Sequence, residues 1–116
     1  MSYFAIERNN QCWENVGMRA DNGNEVEMWN RYRCMSYDEM KSREDLSDFV
    51  ADVMYAANDI SDTDGGQTII TLIGEDNVFI WSILMNYEEE DFIRYCLIDW
   101  KKDGHNYRYE PERKGA

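Results

Sequence analysis

The apolar residues of this chain change their spacing near its middle, and that change constrains the fold more than any other feature. Between residues 46 and 60 they follow the spacing of the buried face of an α-helix; they are Leu46, Phe49, Val50, Val53, Ala57 and Ile60. From residue 68 onwards the spacing is two and β-branched residues are common, which is typical of strands. We therefore expect an α+β domain in which an amphipathic helix over residues 43–58 covers a sheet.

Four β-rich runs follow this helix, and short polar turns separate them. The runs cover residues 68–73, 78–87, 92–100 and 105–110. Consecutive strands joined by short turns are typical of an antiparallel meander. The second run is apolar on both faces, so we expect it to be central and to lie under the helix. Phe79 and Trp81 are assigned to one face of this run, and Ile80 to the other.

The segment before the helix is less clearly patterned. Residues 3–8 have the character of a short strand. Residues 25–35 are compatible with either structure, because alternating apolar side chains suit a strand while Glu27 and Arg31 would pair across one helical turn. We favour a helix there, so that one helix, or two, would pack on one face of the sheet. Ser42 is a suitable N-cap for the helix over residues 43–58.

The length of 116 residues fits one domain. We expect a single α+β domain over residues 1–110, followed by a polar tail over residues 111–116 that frays. The N-terminal residues lack the basic and apolar regions of a secretory signal, and Cys12, Cys34 and Cys96 are too scattered for a disulfide framework. These features favour reduced thiols in a cytoplasmic protein.

The negative charge of the chain is concentrated in one continuous stretch. The chain has 24 acidic and 12 basic residues, which gives a net charge of −12. Thirteen of the acids lie between residues 44 and 93, where no Lys or Arg occurs, whereas the remainder has 11 acids and all 12 bases. Folded surfaces usually interleave both signs because like charges repel. A stretch of fifty residues without a base therefore favours either a solubility role or a basic partner.

The acids of this stretch form a row on the predicted helix. Asp45, Asp52 and Asp59 are seven residues apart and line up along the helix axis. None of them is followed by a base one turn later, and Asp has a poor helix propensity. Acids continue in the next loop and in the turn over residues 88–91. The candidate partner-binding residues are therefore Asp45, Asp48, Asp52, Asp59, Asp62, Asp64, Glu88, Glu89, Glu90 and Asp91.

The composition also disfavours several classes of function. Direct binding to nucleic acid or to an anionic membrane requires a net positive charge, whereas the net charge of this chain is negative. The acids near Asp62 are similar in spacing to a calcium loop, but Ile60 stands where that loop needs an oxygen ligand, and Thr71 stands where it needs a glutamate. The single histidine, His105, follows a predicted turn and has no nucleophile near it in sequence. We expect no enzyme activity, no cofactor and no metal.

In size and charge the whole chain resembles the small acidic inhibitors that phages and mobile elements use against basic nucleic-acid enzymes. These include anti-restriction and anti-CRISPR proteins, some of which mimic DNA. The resemblance implies a basic partner protein, such as a nuclease or a defence complex, because rigid carboxylates can occupy a cleft lined with Lys and Arg. Two alternatives stay open: a toxin-immunity protein that masks a basic toxin, or an interaction domain that is acidic only for solubility.

Overall fold

A computed structural model describes residues 1–17, 23–61, 66–88 and 92–101 of the chain. Within them five strands form one sheet, and three α-helices lie between the second and third strands in sequence. The elements are β1 (Tyr3–Arg8), β2 (Gln11–Val16), α1 (Gly23–Tyr32), α2 (Tyr37–Lys41), α3 (Leu46–Ile60), β3 (Thr68–Ile73), a 3₁₀ turn (Glu75–Asn77), β4 (Phe79–Tyr87) and β5 (Ile93–Asp99). The predicted α+β class is confirmed, with five strands instead of about four.

Two asparagines turn β1 back into β2. Asn9 and Asn10 both have positive φ angles, 52° and 65°, and Arg8 pairs directly with Gln11. A two-residue turn with two positive φ angles is the type I′ hairpin turn, in which asparagine is favoured. β2 was not predicted, because half of its residues are polar and they do not alternate with the apolar ones. It forms one edge of the sheet beside β1.

The strand order is β2-β1-β3-β4-β5, and every neighbouring pair is antiparallel. The first strand therefore lies inside the sheet, where Ile6 pairs with Ile70. The predicted meander is present as β3, β4 and β5, while the fourth predicted strand, over residues 105–110, lies outside the described residues. β4 is an interior strand, and β3 occupies the centre.

A β-bulge in β4 corrects the predicted faces of that strand. Leu72 pairs with Trp81 whereas Ile73 pairs with Phe79, so Ile80 is an extra residue in the ladder. A bulge shifts the side-chain alternation by one position. Trp81 consequently packs with the helices, while Phe79 packs on the opposite face of the sheet with Ile73.

The start of α2 is set by local side-chain hydrogen bonds. Ser36 caps α2: its hydroxyl accepts from the Glu39 N–H at 3.2 Å, and its own N–H donates to the Glu39 carboxylate at 2.9 Å. This capping box adds a short helix that was not predicted. Ser42, expected to cap the longest helix, instead ends α2, and α3 begins after Asp45.

The apolar face of α3 packs with α1 on one face of the sheet, as the spacing predicts. Phe49 is fully buried and stacks on Tyr32 of α1 with ring centroids 4.1 Å apart. Its ring also meets the edge of Trp29 at 5.3 Å. The other buried side chains of α3 are Leu46, Val50, Val53, Met54 and Ala57. This packing fixes which side of α3 faces solvent.

Candidate functional site

The outer side of α3 combines carboxylates with an exposed aromatic ring. Asp48, Tyr55 and Asp59 are exposed, and Asp52 is half-buried. Their separations of three, four and seven residues place them on one side of the helix, opposite Phe49 and Val53. Tyr55 is 66% exposed, one of the few large hydrophobic side chains in the described residues that face solvent.

Glu25 of α1 adds a carboxylate across a shallow groove between the two helices. The groove has a volume of about 420 Å³, and the apolar side chains of Met28 and Ala51 line it together with Glu25, Asp48 and Asp52. Arg31 also lines it, and lies 3.9 Å from the carboxylate of Asp45. We use the name α3 acidic face for Glu25, Asp48, Asp52, Tyr55 and Asp59.

The carboxylates of the α3 acidic face have no basic partner among the described residues. No Lys or Arg nitrogen there comes within 4.0 Å of Glu25, Asp48, Asp52 or Asp59. Burial, and then the nearby carboxylates of Glu25 and Asp48, raise the pKa of Asp52 to about 6. The face therefore holds uncompensated negative charge at neutral pH, and its members repel one another.

Asp45 lines the same groove but differs from the α3 acidic face, because its carboxylate is already bonded. Tyr32 Oη donates to one carboxylate oxygen at 2.7 Å, and Arg43 donates from Nε at 3.1 Å and from Nη2 at 3.0 Å. The hydrogen bond from Arg43 is the main cause that holds the pKa of Asp45 below its ordinary value, and burial opposes it. Asp45 is thus a neutralised structural group at the start of α3.

Of the candidate binding residues that follow α3 in sequence, only Glu88 lies in the described part of the chain. Asp62, Asp64, Glu89, Glu90 and Asp91 lie outside the described residues. Glu88 follows β4, and its carboxylate lies 3.0 Å from Arg94 Nε of β5. Because Thr68 pairs with Met85, Glu88 is at the end of the sheet where β3 begins, whereas Glu75 is at the other end.

The described residues contain neither a metal-binding cluster nor a helix that could span a membrane. No group of three His, Cys, Asp or Glu side chains in those residues could hold a metal ion. None of their helices has both the length and the apolar character needed to span a bilayer. Cys12, Cys34 and Cys96 are free thiols. His105 lies outside the part of the chain that the structure covers.

Sequence reasoning missed two members of the site, Tyr55 and Glu25. Tyr55 could have been predicted from the sequence, because it lies on the polar side of the helical pattern, three residues after Asp52 and four before Asp59. Glu25 carried none, since its position depends on how α1 packs beside α3. Comparison with protein-family models, with curated proteins and with solved structures found no match for this chain.

Proposed function

We propose that this chain is a small acidic inhibitor that binds the basic nucleic-acid-binding surface of a nuclease or a defence complex through the α3 acidic face. The observation that carries the proposal is the exposed row of Asp48, Tyr55 and Asp59. In the described residues, no Lys or Arg nitrogen lies within 4.0 Å of the Asp48 or Asp59 carboxylate. Such a row has a physical use where a partner supplies the missing positive charge.

The face is held rigidly by the core beneath it. Phe49 and Val53, on the other side of the same helix, are fully buried. The helical rise separates Asp48 from Asp52 by about 6 Å and Asp52 from Asp59 by about 10 Å. A preorganised row of charges loses little conformational entropy on binding, which favours affinity for a cleft that normally holds a phosphate backbone.

Tyr55 suits the same partner. A tyrosine ring attracts the guanidinium group of arginine through its π-electrons, and the carboxylates of Asp52 and Asp59 on neighbouring turns would bond to that group's edge. Tyrosine and arginine are also enriched among the residues that dominate interface affinity. Because the clefts of nucleic-acid enzymes are rich in arginine, an aromatic ring among carboxylates fits them better than carboxylates alone.

Long-range electrostatic attraction also supports binding to a basic partner. The helical segment of residues 23–61 has nine acids and four bases. A surface with this excess would accelerate encounter with a basic protein and make binding sensitive to salt.

The test is capture followed by competition. The protein is immobilised and exposed to bacterial lysate at about 50 mM and about 500 mM salt, since electrostatic binding weakens between these limits. The proposal predicts enrichment of a nucleic-acid-binding protein at low salt, and a purified complex from which DNA or RNA is excluded. Formation of a ternary complex with nucleic acid, or no salt-sensitive partner, would contradict it.

Two double variants of equal charge make this test specific. Asp48→Asn with Asp59→Asn removes two carboxylates from the α3 acidic face. Glu14→Gln with Glu75→Gln removes two exposed carboxylates from β2 and from the turn before β4. The first pair should abolish most of the capture and the second should retain it. Equal losses would mean that net charge, and not this face, governs binding.

A further inference from the structure

Arg33 is held between the end of α1 and the start of β1. Its N–H donates to the carbonyl of Trp29 at 3.0 Å. Its own carbonyl accepts from the hydroxyl of Ser2 at 3.0 Å. The guanidinium carbon lies 5.8 Å from the centre of the Phe4 ring, within the range of a cation–π interaction. The first two contacts fix the backbone of Arg33, and the third places its guanidinium group against Phe4.

The guanidinium group has no carboxylate partner in the described residues, although the protein is strongly acidic. Arg31 and Arg43 both lie within 4.0 Å of Asp45, and Arg94 lies 3.0 Å from Glu88. Within residues 1–17, 23–61, 66–88 and 92–101, no such pair involves Arg33. Its Nε is shielded from solvent and has no acceptor. A buried donor without an acceptor is destabilising, so native proteins usually provide one.

A groove of about 210 Å³ adjoins Arg33, and Tyr3, Asn15 and Val16 are among the other residues that line it. Asn15 reaches the groove because of a second bulge. Phe4 pairs with Val16 and Ala5 with Glu14, so Asn15 is an extra residue in β2, and its φ angle is 58°. Bulges commonly turn a side chain towards a site. An amide and a guanidinium group are thus brought to one recess.

We propose that Arg33 and Asn15 form a binding site for a single oxyanion, a carboxylate or a phosphate group. Two oxygens of such a group can accept in parallel from the guanidinium fork, which is the geometry that arginine recognises best. The Asn15 amide supplies a further donor beside it. The site is independent of the α3 acidic face, since its charge is opposite and it adjoins β1 and β2.

The test follows the arginine side-chain N–H signals by nuclear magnetic resonance. The folded protein is titrated separately with phosphate and with acetate, and chloride keeps the ionic strength constant so that screening does not change. We expect saturable shifts of the Arg33 Nε–H and the Asn15 amide, and none of the Arg94 Nε–H. Saturation by phosphate alone, by acetate alone or by both supports the site and identifies the group it prefers.

Two variants decide whether a saturable signal belongs to this site. Arg33→Lys keeps the positive charge near Phe4 but removes the planar fork, so apparent affinity should fall about tenfold. Arg94→Lys changes an exposed arginine and should bind like the unaltered protein. Shifts that do not saturate, or that persist equally in Arg33→Lys, would mean an adventitious ion only and would overturn the proposal.

Discussion

The hydroxyl of Tyr32 donates a 2.7 Å hydrogen bond to the carboxylate of Asp45, and this bond joins the end of α1 to the start of α3. The same carboxylate accepts two hydrogen bonds from Arg43. Asp45 is therefore part of the scaffold that orients α3. Its neighbour in the predicted row, Asp48, is exposed and has no such role.

Asp45→Asn should consequently destabilise the protein, whereas Asp48→Asn should have almost no effect on stability. Asp45→Asn should lower the free energy of unfolding by about 1–3 kcal/mol, because it weakens hydrogen bonds to a charged group. Asp48→Asn should change it by less than about 0.5 kcal/mol, as is usual for exposed positions. Urea unfolding at pH 7 measures both, and equal values for the two variants would contradict the assignment of Asp45.

The pH dependence of Asp45→Asn supplies a check on the same bond. The folded state holds the pKa of Asp45 below its unfolded value. Its stabilising contribution is therefore complete above the unfolded pKa, near 4, and is lost as pH falls through the lower folded pKa. The stability difference between the unaltered protein and Asp45→Asn should accordingly shrink only below about pH 4.

The effect of Asp52 on stability should have the opposite pH dependence, because its pKa is raised in the folded state. The pKa of Asp52 in the folded state is raised to about 6. The ionised carboxylate at pH 7 therefore destabilises the folded state. This destabilisation disappears as pH falls towards the unfolded pKa near 4. Asp52→Asn should stabilise the protein by about 1 kcal/mol at pH 7, allowing for solvent screening of a half-buried group. At pH 4 the variant should match the unaltered protein.

Thermal unfolding at the two pH values measures this effect. Asp59→Asn, at an exposed position on the same side of α3, serves as the control for removal of one negative charge. An Asp52→Asn variant that is no more stable than Asp59→Asn at pH 7 would show that Asp52 lies in an ordinary solvated environment.

The orientation of α3 can be tested with two aromatic residues six positions apart. Phe49→Ala should cost about 3–5 kcal/mol of unfolding free energy, because it empties the space between Tyr32 and Trp29. Tyr55→Ala should cost less than about 0.5 kcal/mol, since that ring faces solvent. Denaturant unfolding that ranks the two in the opposite order would show that the helix is rotated.

The long-range spacing of apolar residues was sufficient to predict the α+β class and the buried face of α3, because burial repeats with the period of each element. Local interruptions of the helical or strand spacing could not be predicted from the spacing itself. The bulge at Ile80 reverses the face of Phe79, and the capping box at Ser36 starts a short helix, α2, that ends at Ser42. Asn9 and Asn10 suit a hairpin turn, but the residues of β2 do not alternate between apolar and polar, so this strand was not predicted.

The site was only partly predictable for a related reason. Helical spacing groups Asp48, Asp52 and Asp59, since that depends only on sequence separation. It cannot distinguish a free carboxylate from one already bonded, as Asp45 is to Arg43 and Tyr32. Nor does it place Glu25, whose approach to Asp52 arises from the packing of α1 against α3.

The most direct measurement of the central claim is the salt dependence of affinity for a captured basic partner, compared between the two double variants. Asp48→Asn with Asp59→Asn should bind more weakly than the unaltered protein, and its affinity should change less with salt. Glu14→Gln with Glu75→Gln has the same net charge and should retain both the affinity and the salt dependence. If the two double variants lose affinity equally, the α3 acidic face is not the binding surface.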